Sequence, residues 1–146
     1  MVQTYKNIIV GIDGSKEAEA ALKKAVEVAK RNDARLHLVN IIDSRVYSML
    51  EAYNFTEEEK RAEEVATSLL EGYKEAETAG LENVNLIVEY GSPKSAITQD
   101  VAKKVEADLI VCGATGLNAV ERFLVGSVTT GIIRSADCDV LVVRPF

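Results

Sequence analysis

Three glycines and two hydroxyls near the end of the chain carry its most chemically suggestive spacing. Gly113 and Gly116 are followed, after nine residues, by Gly126, Ser127, Val128 and Thr129. A short apolar run, Leu109-Ile110-Val111-Cys112, leads in, and Val128 to Ile133 leads out. Glycine has no Cβ, so a ligand can approach its backbone N–H closely. The start of a helix adds unpaired N–H donors and the positive end of a dipole. The combination makes an anion cradle, and a phosphate chain is the obvious biological anion. The same residues also suit plain turn glycines beside a helix, with Ser127 as the N-cap.

The chemistry this pattern lacks is equally informative. No lysine follows the last glycine, so the loop is not a Walker A motif, and the group that normally reaches the β- and γ-phosphates is missing. Fast ATP hydrolysis is disfavoured accordingly. The first turn, Gly11-Ile12-Asp13-Gly14, has only two glycines and is not a dinucleotide fingerprint. Asp13 follows an apolar run. It is suited either to hydrogen-bonding a ribose or base, or to organising a turn with Gly14 and Ser15. The one histidine, His37, lies between Leu36 and Leu38 and reads as a packed strand residue rather than a base. Cys112 and Cys138 stand apart beside apolar runs and read as buried, reduced thiols. Their spacing suits neither a redox pair nor a zinc site. No catalytic residue is assigned, and no metal site is identified.

These groups need elements to hold them. The continuous apolar run from Asn7 to Ile12 predicts a strand buried on both faces. Ser15 caps a helix on which Ala18, Ala21, Leu22, Ala25 and Ala29 recur at helical spacing. Leu36 to Ile42 is a second strand. Asp43 to Phe55 is irregular, and then Thr56-Glu57-Glu58-Glu59 has the form of a capping box. That helix runs to a stop near Gly80. Residues Val84 to Tyr90 alternate, which predicts a half-exposed strand at a sheet edge. Gly91-Ser92-Pro93 opens a helix lined by Ile97, Val101 and Val105, with proline at its first position. Leu109 to Gly113 and Val140 to Val143 complete five strands. Strands alternate with helices throughout, so the fold class is α/β, a parallel sheet with right-handed crossovers and helices on both faces. In such sheets ligands bind beyond the carboxyl ends of the strands, where the strand order reverses. If the first and fourth strands are neighbours, Asp13 and the glycine loop share one crevice.

Bulk properties narrow the function classes. The 146 residues suit one domain, residues 1–146, and 47% of them are hydrophobic, enough for a substantial core. The net charge of −6 argues against nucleic acid or an anionic membrane as partner, since both need a basic face. No apolar stretch nears the roughly 20 residues that span a bilayer. The start, Met1 to Lys6, has no signal-peptide pattern, so a cytoplasmic location is expected.

Four segments together resemble the universal stress protein A family: Ile8 to Ser15, the Gly91-x-Pro93 turn, Gly113-x2-Gly116-x9-Gly126-Ser127, and the ending Asp139 to Pro145. The similarity runs from about Tyr5 to Pro145, and the glycine spacing resembles the ATP-binding branch. The resemblance implies a five-stranded parallel sheet in the order 3-2-1-4-5. It implies ATP, with Mg2+ as its candidate companion, held by Asp13 and the Ile41 backbone at the adenosine end. Gly113, Gly116, Gly126, Ser127, Val128 and Thr129 would then lie at the ribose and phosphates. Gly11 and Ile12 of the first loop, and Thr115 between the glycines, complete the expected nucleotide-binding set.

The expected function is therefore a nucleotide-dependent regulator in stress response rather than a fast enzyme. A slow ATPase or phosphotransferase on the same site, and a dimeric interaction module without nucleotide, are its rivals. The fifth strand is expected at an edge, strongly apolar, and Val140, Leu141, Val142 and Val143 are the predicted homodimer interface.

Overall fold

The computed structural model describes residues 4–43, 55–114 and 125–144. Five strands, β1 (Asn7–Gly11), β2 (Arg35–Ile42), β3 (Val84–Tyr90), β4 (Leu109–Gly113) and β5 (Asp139–Val143), form one sheet in the order β3-β2-β1-β4-β5. Every adjacent pair is parallel. The order reverses between β1 and β4, so the two strands with the richest polar ends lie side by side. β3 and β5 are the edges, and the alternation along β3 has its cause there: Val84, Leu86 and Val88 pack on one core while Ile87 packs on the other.

Among the described residues two helices cover each face. On one side α1 (Lys16–Asn32) and α2 (Phe55–Glu77) bury Ala21, Leu22, Ala25 and Leu70 against Ile8, Val10, Leu36, Leu38 and Val111. On the other, α3 and α4 (Ser127–Ser135) bury Ile97, Val101 and Ile132 against Ile9, Val39 and Ile110. Helix α3 runs through Pro93–Ser95, Ala96–Val101 and Ala102–Val105, with its middle stretch wound as a π-helix. The Ala102 N–H accordingly reaches back to the Ile97 carbonyl. Ile8, Ile9 and Val10 are fully buried, which explains why β1 reads as an unbroken apolar run rather than an alternation.

Helix ends follow local chemistry, with two corrections. Ser15 caps α1 as expected: its Oγ accepts from the Ala18 N–H at 3.1 Å. Helix α2 begins at Phe55, so Thr56 sits inside the first turn and not at the cap. The residues before Phe55 lie outside the described residues. Helix α4 begins at Ser127 with Gly126 as its N-cap, in an extended conformation. Ser127 is therefore not the cap: the Gly126 carbonyl already accepts the first intrahelical bond, from the Thr130 N–H at 2.9 Å.

Candidate functional site

The crevice is built where β1 and β2 part. β2 alternates its backbone groups between its neighbours: the Leu36 N–H bonds Asn83 and the Ile42 carbonyl bonds Gly91 on the β3 side, while the Val39 carbonyl accepts from Ile12 on the β1 side. The next rung toward β1 would join the Ile41 N–H to the Ile12 carbonyl. That carbonyl instead accepts from Asn40 Nδ2 at 2.7 Å. Ile41 thus keeps its N–H and C=O directed over the end of β1, beyond the last β1 rung at Gly11 and Val39, while it stays in register with Glu89 of β3. Asn40 is a residue of the candidate site that sequence reasoning overlooked. Its only signal was a polar side chain interrupting the apolar end of β2.

Asp13 performs the turn role. Its Oδ1 accepts from the Ser15 N–H at 2.9 Å and the Ser15 hydroxyl at 2.5 Å. Gly14 adopts φ +84°, in the left-handed region. Asp13 is exposed beside the crevice. Gly11 and Ile12, half-buried and buried, form the floor of the same turn.

Across the crevice, β4 and α4 are laced together. The Gly126 N–H donates to the Ala114 carbonyl at 2.7 Å, pinning the two ends of the glycine loop to each other. The buried Thr129 hydroxyl donates to the Gly113 carbonyl at 2.7 Å. Its hydroxyl proton is therefore engaged by the fold. What α4 offers outward is backbone: the N–H groups of Ser127, Val128 and Thr129 have no intrahelical partner and sit at the positive end of the helix dipole. Gly113 has its own constraint. A Cβ there would lie 2.9 Å from the Glu17 carbonyl oxygen, so the glycine lets the first turn of α1 lean directly on the end of β4. Gly11, Ile12, Asp13, Ile41, Gly113, Gly126, Ser127, Val128 and Thr129 are thus gathered at one end of the sheet. Thr115 and Gly116 lie outside the described residues.

Among the described residues, the titratable groups near the site are separated from one another. Cys112 lies buried under the site, and burial pushes its thiol up to about 11, with Thr129 partly opposing the shift. Cys138 is half-buried rather than buried, and its thiol is also raised, first by burial and then by Asp139, Asp108 and Asp137. His37 lies away from the crevice, buried between Asn7 Oδ1, 3.2 Å from Nε2, and Asn85 Nδ2, 3.1 Å from Nδ1. It is a packed strand histidine, as its flanking leucines suggested. Among the described residues no group of three or more His, Cys, Asp or Glu could hold a metal ion. No helix there is long and apolar enough to cross a membrane.

Comparison with known proteins adds to this geometry. The model of the universal stress protein family matches residues 4–144. A Staphylococcus saprophyticus protein described as a universal stress protein is 57% identical over 144 residues, spanning 97% of this chain and 84% of its own. The solved structure of universal stress protein UspA from Lactobacillus plantarum superposes with a TM-score of 0.80 at 33% identity, covering 98% of this chain and 100% of that one. A universal stress protein solved in complex with cAMP superposes at 0.69 with 25% identity, covering 99% and 100%. With the matching strand order and the gathered glycine site, these similarities establish that the chain belongs to the universal stress protein family.

Proposed function

We propose that the chain is an ATP-binding universal stress protein, a nucleotide-dependent regulator that works in the cytoplasm as a homodimer and not as a fast enzyme. The observation that carries this reading is the pair of backbone donor sets facing one crevice. Ile41 offers an N–H and a C=O over the end of β1, the complement of an adenine edge. The first turn of α4 offers N–H groups suited to phosphate. Asp13 lies between them, where a ribose would fall. Mg2+ would be carried largely by the phosphates, since the described residues supply no ligand cluster of their own.

A second reading, a cyclic nucleotide as the ligand, is favoured by the family member solved with cAMP. Catalysis has less support. Hydrolysis needs a base or water-positioning group at the γ-phosphate. Near the first turn of α4 the chain offers the Ser127 hydroxyl, while the Thr129 hydroxyl is already committed to Gly113. The test is mass spectrometry of ligand released from protein purified without added nucleotide, followed by calorimetric titration with ATP and cAMP. Recovered or titrated ATP supports the proposal, and exclusive binding of cAMP transfers it to the second reading. Protein that is free of nucleotide and silent toward both ligands overturns it.

A further inference from the structure

The glycine loop lacks a Walker lysine, and the fold sets a lysine from another element against the helix that follows the loop. Lys94 is in the first turn of α3, and α3 and α4 both begin at the carboxyl end of the sheet on the same face. Its aliphatic stem lies flat on Gly131. A Cβ built at Gly131 would sit 2.6 Å from Lys94 Cδ, 3.1 Å from Cβ and 3.3 Å from Cγ. Gly131 lies three and four residues after Val128 and Ser127, on their face of α4 and about 6 Å along the axis at 1.5 Å per residue. Glycine at 131 is therefore the groove in which the lysine stem rests. A lysine held by its stem in this way leaves its ammonium to reach solvent or a ligand. Among the described residues Lys94 makes no ion pair, whereas Lys104 of the same helix reaches Glu89 at 3.6 Å.

We infer that Lys94 is the cation for the distal phosphates of the bound nucleotide, set in the Gly131 groove to select polyphosphates over monophosphates and cyclic phosphates. The inference rests on the nucleotide reading of the crevice and assigns the specificity of that same site. The α4 amides can take one phosphate group. A nucleoside triphosphate places further negative charge on a chain whose net charge is already −6, and a point-charge ammonium is the side chain that suits it.

Calorimetric titration of ATP, ADP and AMP against the unmutated protein, Lys94→Met and Lys94→Arg tests this. Lys94→Met is expected to weaken ATP about tenfold, as loss of one charge-assisted phosphate contact does, and to leave AMP within about twofold. Its ATP affinity should also depend less steeply on salt. Lys94→Arg should keep ATP affinity. Gly131→Ala, which fills the groove and shifts the stem, should weaken ATP in the same direction without touching AMP. Unchanged ATP affinity in Lys94→Met overturns the lysine's role and leaves the crevice standing. A parallel loss of ATP and AMP also overturns it, because the effect is then general. Failure of the unmutated protein to bind any of the three removes the nucleotide reading itself, and this inference with it.

Discussion

At the residue scale, Asp13 shows how one carboxylate fixes a turn at the edge of the candidate site. It accepts twice from Ser15, and the Ser15 hydroxyl in turn accepts from the Ala18 N–H, so a short relay fixes the turn and starts α1. Removing it in Asp13→Ala is expected to lower stability by about 1 kcal/mol, the worth of a lost cap. It should also weaken ATP and adenosine in parallel, because the proposed nucleotide reading puts the group at the nucleoside end of the crevice. A denaturant melt and a titration on one sample separate the two effects; lost stability with intact affinity would confine Asp13 to the turn. His37 makes the other residue-scale prediction. Burial first, and then Arg35, hold its pKa below the ordinary 6.5. The folded chain therefore resists a proton that the unfolded chain accepts, so stability is full above about 6.5 and declines as pH falls from there toward the lowered native value. The unfolding midpoint of the unmutated protein should fall between pH 7.5 and 5, and His37→Gln should show a flatter profile. Matching slopes would place the titration elsewhere.

At the scale of elements, the site depends on close approaches between segments distant in sequence. Gly113 is the clearest case. The atom facing its missing Cβ is the Glu17 backbone carbonyl, which cannot swing aside as a side chain can. Gly113→Ala is expected to cost about 1–3 kcal/mol by forcing α1 away from β4. Chemical denaturation measures it, and a cost below a few tenths of a kcal/mol would show that the helix yields freely. The same contact explains what was legible in the sequence. Periodicity exposed the five strands and placed β3 at an edge, because alternation and continuous apolar runs report directly on one or two buried faces. The strand order came from family resemblance, not from the pattern itself. Glycine spacing located the cradle but not its reasons: that Gly113 serves the packing of α1, that the Thr129 hydroxyl is spent on Gly113, and that Asn40 displaces a ladder bond are all tertiary facts. The cap of α4 was misplaced by one residue because glycine and serine are both acceptable N-caps, and only the backbone conformation distinguishes them.

At the scale of the molecule, the two cores close both faces of the sheet, but nothing among the described residues closes the β5 edge. Val140 and Val142 pack on one core, and Leu141 and Val143 on the other, so both faces of β5 are used. Its backbone is used only on one side. The Val143 carbonyl is committed to β4 through the Ala114 N–H at 3.1 Å, and alternation turns the N–H and C=O of Val142 outward. An apolar, β-branched edge of this kind invites pairing with another strand. The same strand of a second copy would meet it antiparallel about a two-fold axis and close the assembly at two. Light scattering at micromolar concentration should therefore report a homodimer. Val142→Pro deletes an outward donor without touching the bonds to β4, and the ring is tolerated at an edge. The variant should keep its circular dichroism spectrum and scatter as a monomer. An unmutated protein that is already monomeric, or a proline variant that remains dimeric, would place the association surface somewhere other than β5.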